Sequence, residues 1–527
     1  MGSRRVLHPP DLVLYRFALV LALSAPAALA QQATLAPPSV ISDQQHARSV
    51  AVAGGDALVG RWDPDRSGAV QFYSLQPGGY AWAATDAFDF PEDLALYGGA
   101  VDLAGEPGST FSAIVGASEA RFDGGARTGR AFVYRDERAP PATGSGYGLD
   151  AELVPTPAPS PGDRYGFAVS IDGSTAVVAS RTATVDGVAN AGEAFVFVRD
   201  AAGQWSQQAR LRPITPVANQ LFGTTLTLEG DRVAVSALGE TDPGRDKGVT
   251  YVFDRDASTG TWGQVARLTT SAGVGSSSNT LAIDDGRVLV GSSRLPASSA
   301  ASEVFVFERV AGTWTETATL DPSPLYPSSS DAGEGFGLSV GAEDGVVGVS
   351  AYFENGAPNV IDRGAVYVFE WDGDSYEVRA RLEPPAVANA RTGIGGVDVA
   401  RSPEPGAYDI VAGAFPENSS SGNAYVFQYT STAVDAAAGP EAGAVLSAPA
   451  PNPADARARL VLSLDAPAVV RAELTDALGR SVRVLYDGLA SGRVPLAVET
   501  ATLAPGLYVV RVEAGGETHA RRLTVVR

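Results

Sequence analysis

Apolar and polar residues alternate with a period of two through most of the chain, in short runs that end at Gly or Asp. Residues 222–268 contain the full unit: Phe222-Gly223 opens an alternating run, Glu229-Gly230-Asp231 forms a tight turn, and three further apolar runs follow between polar turns. Alternation of this kind between turn residues is typical of β-strands. The unit therefore predicts four short strands joined by turns.

The four-strand unit recurs along the chain. The aromatic residue that ends each third strand reappears every 54 to 63 residues, at Tyr73, Tyr134, Phe197, Phe253, Phe307, Phe369 and Phe427. Radial repetition of four-stranded sheets is the pattern of a β-propeller. We therefore predict an all-β chain in which residues 31–430 form a seven-bladed β-propeller, with an open solenoid as the alternative.

The seventh copy lacks a fourth strand, because strand-like sequence stops after Tyr429. Fourth strands elsewhere end in forms such as Leu211-Arg212-Pro213 and Leu320-Asp321-Pro322, and Leu35-Ala36-Pro37 has the same form near the N-terminus. We predict that residues 32–37 supply the missing outer strand of the last blade. Such a strand would close the ring and cover an otherwise unpaired edge.

The composition changes after the last repeat. Residues 431–448 are rich in Ala, Gly and Pro without strand periodicity, as expected of a linker. Residues 449–527 contain short alternating runs that predict a small Ig-like β-sandwich of six or seven strands. These runs lie at residues 460–464, 469–474, 482–485, 494–498, 506–512 and 520–526.

Residues 1–30 have the three parts of a secretory signal peptide. Arg4 and Arg5 precede an apolar stretch over residues 17–23, and Ala28-Leu29-Ala30 provides a small-residue cleavage site. A membrane anchor is the alternative, but the apolar stretch is shorter than the about 20 residues that span a bilayer. The pattern predicts cleavage after Ala30, a secreted or outer-membrane surface location, and no transmembrane segment in the mature chain.

Composition excludes several function classes. The net charge is −21, which disfavours a nucleic-acid partner because binding to phosphates requires clustered Lys and Arg. The chain has no Cys and three His, none of them in repeats two to seven, so a nucleophile paired with histidine is excluded there. A glycosidase with paired carboxylates stays open, because Asp and Glu are plentiful.

The repeats also carry family motifs. First strands start with Tyr97-Gly98, Phe222-Gly223 or Phe336-Gly337, and second strands end with Gly116-Ala117 or Gly413-Ala414. In these features the repeats resemble the FG-GAP family, which is related to the integrin α-subunit propeller. Many members carry a D-x-D-x-D-G calcium loop between strands one and two. This chain has tight turns there, so no cofactor is predicted at those positions.

One candidate metal loop lies elsewhere, at Asp63, Asp65 and Ser67. Their oxygen-bearing side chains alternate before Gly68, as ligands do in a calcium loop. We prefer an Asp-rich turn, because the distal bidentate carboxylate of a complete calcium loop is not identifiable. Calcium remains the alternative at this loop.

The C-terminal region carries a second set of motifs. Pro451-Asn452-Pro453 opens it, Asp476-Ala477-Leu478-Gly479-Arg480 lies in the middle, and Gly506-Leu507-Tyr508 is near the end. The region resembles the C-terminal sorting domain of type IX secretion cargo. The resemblance implies a type IX-like secretion machinery as a partner, and an ordinary sandwich domain is the alternative.

Two function classes follow from these observations. The first is a secreted or cell-surface binding or adhesion protein whose ligand is an extracellular protein or glycan. The second is a carbohydrate-active hydrolase or lyase on the same scaffold. Long loops between strands two and three share one face with the connections between repeats, so we predict an acidic ligand-binding face there that favours cations or basic partners. The residues predicted to bind are Asp242, Asp246, Glu354 and Asp362.

Overall fold

Short antiparallel strands make up most of the chain in the computed structural model. No helix among the described residues is long and apolar enough to cross a membrane. The predicted signal peptide lies outside the described residues. These are 31–35, 45–62, 68–75, 82–89, 96–105, 110–121, 125–136, 146–240, 248–271, 278–293, 302–325, 335–355, 360–373, 375–385, 389–404, 406–414, 422–431, 444–446, 457–476, 480–501, 503–514 and 517–526.

The strands within the described ranges form seven four-stranded sheets and one five-stranded sheet. The N-terminal strand is β1 (Gln31–Leu35). Sheets 1 to 3 then consist of β2 (Gln45–Ala53), β3 (Asp56–Trp62), β4 (Ala69–Leu75) and β5 (Trp82–Asp89); β6 (Tyr97–Ala104), β7 (Ser112–Ala117), β8 (Arg130–Asp136) and β9 (Tyr147–Glu152); and β10 (Tyr165–Asp172), β11 (Thr175–Ser180), β12 (Glu193–Arg199) and β13 (Trp205–Leu211).

Sheets 4 to 7 repeat the same order. A short 3-10 helix, Ser323–Leu325, follows sheet 5. The strands are β14 (Phe222–Glu229), β15 (Arg232–Ala237), β16 (Val249–Arg255) and β17 (Trp262–Leu268); β18 (Ser278–Asp284), β19 (Arg287–Ser293), β20 (Glu303–Val310) and β21 (Thr313–Thr319); β22 (Phe336–Glu343), β23 (Val346–Ala351), β24 (Ala365–Trp371) and β25 (Tyr376–Leu382); and β26 (Val397–Arg401), β27 (Ala407–Ala414) and β28 (Asn423–Thr430), which β1 completes.

Strand composition follows the position of each strand within its sheet. All six residues of β11 and of β23 are buried, and both strands read as nearly continuous apolar runs. Neighbouring sheets cover both faces of such strands, so no polar face is needed. The fourth strand β17 alternates between exposed and partly buried residues because one of its faces meets solvent.

The apolar cores lie between consecutive sheets. First strands contact one another in the order β2, β6, β10, β14, β18, β22 and β26, and β26 contacts β2. Between sheet 7 and sheet 1, Val411 and Val426 pack with Val52 and Val59. Each sheet thus buries both of its faces against neighbours, and the first sheet meets the last.

Close approach of neighbouring sheets explains the paired glycines in the motifs. Gly98 has a φ of 77°, in the left-handed region that glycine adopts without a steric penalty. A Cβ placed on Gly60 of the preceding sheet would lie 2.1 Å from the Gly98 carbonyl oxygen. A Cβ placed on Gly116 would likewise lie 2.1 Å from the Gly166 carbonyl oxygen. Larger residues at these positions would force consecutive sheets apart.

The N-terminal strand completes sheet 7. β1 pairs antiparallel with β28, and Thr34 and Leu35 lie opposite Tyr425 and Ala424. Leu35 is buried in the core between sheets 7 and 1, whereas Thr34 is exposed. The prediction that the N-terminus supplies the missing outer strand is confirmed over residues 31–35.

Carboxylates connect the tight turns of consecutive sheets. Asp172 accepts a hydrogen bond from the Gly230 amide at 2.6 Å. Glu229 accepts from the amides of Asp285 and Gly286 at 3.1 and 3.2 Å, and Asp284 accepts from the Gly345 amide at 2.7 Å. These contacts join the tight turns of sheets 3, 4, 5 and 6 in succession.

Two further carboxylates join the first strands of neighbouring sheets. Asp102 accepts hydrogen bonds from the Ser170 hydroxyl at 2.7 Å and the Ile171 amide at 2.8 Å. Asp398 accepts from the Val52 amide at 2.9 Å, so it links sheet 7 to sheet 1. Burial raises the pKa of Asp102 to about 6. Burial, together with the charge of Asp102, raises the pKa of Asp398 to about 7.

The five-stranded sheet lies in the C-terminal region and has its own apolar core. Its strands are β29 (Ala444–Leu446), β30 (Arg457–Asp476), β31 (Ser481–Glu499), β32 (Gly506–Ala514) and β33 (Glu517–Val525). Buried residues such as Leu462, Leu474 and Val512 form the core. β29 falls within the predicted linker 431–448 and pairs with β30.

Four strands predicted separately in this region form two long strands. Residues 460–464 and 469–474 both lie in β30, and residues 482–485 and 494–498 both lie in β31. The register of the two strands shifts between Leu464 and Ala468. A β-bulge of this kind bends a strand without ending it, so the interruption of the alternation in the sequence marks a bulge and not a turn.

Candidate functional site

Long connections gather on one side of the sheets, which we call the long-loop face. It consists of the connections between second and third strands, such as residues 118–129 and 181–192, and those between sheets, such as residues 153–164. Strands alternate in direction, so these two kinds of connection emerge on the same side. Loops held on a rigid scaffold are where binding residues concentrate.

An open cavity of about 610 Å³ lies on the long-loop face between sheets 2 and 3. Three connections contribute to it: the one between β7 and β8, the one between β9 and β10, and the one between β11 and β12. Its lining residues are Glu119, Arg127, Pro161, Gly162, Arg164, Thr182 and Asn190.

Hydrogen bonds between the three connections fix the walls of the cavity. The Gly162 amide donates to the Arg127 carbonyl at 2.9 Å, which joins the first connection to the second. The Thr182 hydroxyl donates to the Gly162 carbonyl at 2.6 Å, and the Thr182 amide donates to the Asp163 carbonyl at 3.2 Å. These bonds join the second connection to the third, so the lining side chains stand on one connected frame.

Two arginines and one glutamate set the charge of the cavity. Glu119 lies 3.0 Å from the guanidinium of Arg164 and 3.6 Å from that of Arg127. The arginine side chains are 45% and 56% exposed, whereas that of Glu119 is 21% exposed. One carboxylate faces two guanidiniums, so the charged lining residues leave an excess positive charge in a strongly acidic chain.

A third arginine adds to this positive region. The guanidinium of Arg181 stacks over the ring of Phe167 at 4.5 Å. Burial and the nearby charge of Arg164 lower the pKa of Arg181. Sequence analysis did not predict this cluster, because its members lie far apart in the chain. The available signal was the concentration of arginine over residues 121–181 in a chain with a net charge of −21.

The residues predicted to bind a ligand do not form one site in the described structure. Asp242 and Asp246 lie outside the described residues. Glu354 is fully buried, accepts a hydrogen bond from the Tyr367 hydroxyl at 2.7 Å and forms an ion pair with Arg381. A ligand on the surface cannot reach it, so the assignment of Glu354 to the binding face is corrected to a structural role.

Asp362 is the remaining member of the predicted set. It lies on the long-loop face and is partly buried, with 23% of its side chain exposed. Its carboxylate forms an ion pair with Arg391 at 3.2 Å. Its charge is therefore partly neutralised by its neighbour.

Ion pairs make the described part of the long-loop face less acidic than the sequence suggests. Each pair joins a carboxylate to an arginine whose charge offsets it. The pairs are Glu152 with Arg130, Asp186 with Arg212, Glu193 with Arg210, Glu240 with Arg267, Glu354 with Arg381 and Asp362 with Arg391. Counting carboxylates in the sequence did not reveal this neutralisation.

Two of these pairs occupy equivalent positions with opposite orientation. In sheet 2, Arg130 begins the third strand and Glu152 ends the fourth. In sheet 3, Glu193 begins the third strand and Arg210 lies near the end of the fourth. Sheets 2 and 3 therefore carry a pair of opposite charges at this position in opposite orders, whereas the third strands of sheets 4 and 6 begin with Val249 and Ala365.

The candidate metal loop at Asp63, Asp65 and Ser67 lies outside the described residues. Within the described ranges, no group of three His, Asp or Glu side chains is arranged to hold a metal ion.

Comparison with known proteins bears on the repeats. The FG-GAP repeat family model matches residues 150–197 and 205–253. The first match ends in β12 and the second in β16, so each covers the three inner strands of one sheet; the first also includes part of the preceding outer strand β9, and the second includes all of β13. Together with the repeated four-stranded sheets, these matches support a β-propeller, with FG-GAP repeats at residues 150–197 and 205–253.

The chain is also similar to solved structures at low identity, and no curated protein matches it. A fungal alcohol oxidase of the AA5 family in complex with copper has 11% identity and a TM-score of 0.39, over 95% of this chain and 98% of that one. A putative 6-phosphogluconolactonase from Bacteroides uniformis has 10% identity and a TM-score of 0.42, over 70% and 93%. The β-propeller domain of the Trilobed protease from Pyrococcus furiosus has 10% identity and a TM-score of 0.38, over 72% and 94%. These scores carry no argument about function.

Proposed function

We propose that the protein is an exported binding protein whose long-loop face binds an extracellular glycan or protein. The observation that carries the proposal is the cavity between sheets 2 and 3. Side chains from three connections line it, and hydrogen bonds hold those connections in place. The cavity is open to solvent, and polar groups held in fixed positions within it can orient a ligand.

The seven four-stranded sheets are, in this proposal, the blades of one closed seven-bladed propeller. Its support is the succession of contacts from β2 to β26 and back to β2, together with the β1–β28 pairing. Radial repetition of sheets leaves only short, protected edges. A rigid scaffold built in this way suits a protein that binds its ligand with surface loops.

Export is the second part of the proposal. Residues 1–30 act as the signal peptide, and the C-terminal Ig-like domain directs passage through a type IX-like secretion machinery. The motif Gly506-Leu507-Tyr508 supports this role and opens β32, which pairs with β30 and β33 at the centre of the C-terminal sheet. Because β29 belongs to that sheet, a clean deletion begins before Ala444. The shortened protein is expected to stay in the periplasm of a host with the machinery, and its normal release would contradict the assignment.

The enzymatic alternative is not favoured by the cavity. A glycosidase needs two carboxylates about 5 to 10 Å apart. Among the cavity's lining residues, Glu119 is the one carboxylate, and it is already paired with two arginines.

Binding is tested with the mature chain on glycan and protein arrays. Thr182→Ala and Asn190→Ala change the cavity without removing charge, and they are expected to weaken binding of the ligand that the arrays identify. Asp172→Asn, on the tight-turn side, is the matched control and should leave binding unchanged. Absence of any ligand, or loss of binding with the control alone, would contradict the proposal.

A further inference from the structure

The charge and shape of the cavity narrow the ligand to one chemical class. We infer that it binds an acidic sugar unit of an extracellular polysaccharide, with Arg127 and Arg164 contacting a carboxylate or sulfate group. This inference rests on the proposed function and specifies its ligand. It reverses the charge preference expected from sequence, which pointed to cations or basic partners.

The two guanidiniums have the geometry of an anion site. Both reach Glu119, so they lie on either side of one carboxylate, and about half of each side chain is open to solvent. A planar guanidinium can donate two parallel hydrogen bonds to a carboxylate or sulfate oxygen pair. Glu119 already accepts from part of the N–H groups of these two guanidiniums, so an incoming anion competes with Glu119 for them.

The backbone fixes the position of Arg164. Its φ is 56°, in the left-handed region that few residues other than glycine adopt. Leu96, Leu221 and Gly335, which precede the first strands of sheets 2, 4 and 6, have φ values of 60°, 57° and 73°. The repeated fold therefore sets this conformation, and the Arg164 side chain leaves the chain in a fixed direction.

The rest of the lining suits a sugar. The Thr182 hydroxyl donates to the Gly162 carbonyl, and the Asn190 amide nitrogen donates to Asn219. Both side chains keep an oxygen that can accept a hydrogen bond from a sugar hydroxyl. Arg181 strengthens the positive potential nearby without lining the cavity. The volume of about 610 Å³ lies within the range of about 300–1,000 Å³ that is common for small ligands.

The experiment is isothermal titration calorimetry of the mature chain at low and high salt. The probes are polygalacturonate fragments, which carry carboxylates, heparin fragments, which carry sulfates, and dextran fragments, which are neutral. Polyglutamate serves as an acidic peptide. Variants are Arg127→Gln, Arg164→Gln and Glu119→Gln. Arg212→Gln is the matched control, because Arg212 is also exposed and ion-paired on the long-loop face.

We expect at least one acidic polysaccharide to bind and dextran not to bind. Arg127→Gln and Arg164→Gln should each weaken binding about tenfold, the order of one charge-assisted hydrogen bond. Glu119→Gln should strengthen binding, because it removes the competing carboxylate, whereas damage to the fold would weaken it. Arg212→Gln should have no effect. Thermal melting of each variant confirms that it is folded.

Four results would overturn the inference: no acidic polysaccharide binds, dextran binds equally well, polyglutamate binds more tightly with the same arginine dependence, or the arginine variants bind like the parent chain. If the arrays find a neutral ligand on the long-loop face, the binding function stands and this inference alone fails.

Discussion

Replacing Asp398 with Asn should make the free energy of unfolding less sensitive to a rise in pH between about 5 and about 8. Asp398 accepts hydrogen bonds from the amides of Val52 and Val399, and both bonds can persist when its carboxyl is protonated. Burial, and next the charge of Asp102, raises the pKa of Asp398 to about 7 from an ordinary 3.8. The neutral form is therefore the one that the folded ring prefers.

The sign of the pH effect follows from that direction. Below about pH 3 the carboxyl is largely protonated in both states and costs little. As the pH rises toward 7, the unfolded chain releases the proton while the folded chain retains it, so folding stability falls. A shift of about three units corresponds to at most about 4 kcal/mol. Between about pH 5 and about pH 8 the expected loss from this group is about 2.5 kcal/mol.

The assay is urea unfolding of the parent chain and Asp398→Asn at these two pH values, followed by tryptophan fluorescence. The variant should gain about 2.5 kcal/mol relative to the parent on going from the lower to the higher pH. The difference in the free energy of unfolding between the variant and the parent is taken at each pH. A loss of stability that is the same at both pH values then cancels when these two differences are compared.

Asp256→Asn is the control for this experiment. Asp256 is an exposed turn residue whose pKa is lowered by hydrogen bonds from Ser258 and Thr259. Its contribution to stability is fully present above about pH 4 and is lost only at lower pH, so the parent–variant difference should not change between the two pH values. Equal pH dependence in Asp398→Asn and the parent would refute the reasoning.

Three further predictions test packing and charge. Leu35→Asp should lower the free energy of unfolding by about 3 kcal/mol by burying a charge between sheets 7 and 1, whereas Thr34→Asp on the exposed face of β1 should cost less than about 1 kcal/mol; equal losses in chemical denaturation would contradict the position of β1. Glu354→Gln should cost about 2 kcal/mol, because it removes one of the two carboxylates that pair with the partly buried Arg381 and leaves Glu383 as the other, and it should not change ligand affinity; weaker binding without a lower melting temperature would restore Glu354 to the binding face. Arg130→Glu and Glu152→Arg should each destabilise by about 1 kcal/mol, and the double variant should recover most of the loss; additive losses in thermal melting would show that the order of charges matters.

The repeated strands were predictable because their signals are local. Phe222-Gly223 marks a strand start through a buried ring and a glycine with positive φ, and both requirements are visible in the sequence. The role of β1 was also readable, because Leu35 has the same pattern as the buried leucines that end fourth strands, such as Leu211 and Leu382. Local patterns of this kind can be recognised in the sequence without knowing which residues pack against them.

Charge partners were not predictable because they depend on distant contacts. Glu354 looked like a loop carboxylate, but Arg381, 27 positions later, returns to it on the next strand but one. Arg127 and Arg164 both reach Glu119 only because two connections emerge side by side on the long-loop face. Long β30 was missed for a related reason, since a bulge and a turn interrupt the alternation in the same way.

The pairing of β1 with β28 has a consequence for the order of assembly. Gln31 lies opposite Phe427, so β1 is synthesised long before its partner β28 and waits for it while the other six sheets are made. Closing a loop of that length costs about 5 kcal/mol of chain entropy by the logarithmic estimate. Partly made chains therefore hold an unpaired strand at one end and an open sheet edge at the other. Pairing of β1 with β28 is a late event, and a chain cut short before β28 is left exposed to proteases and to association with other chains.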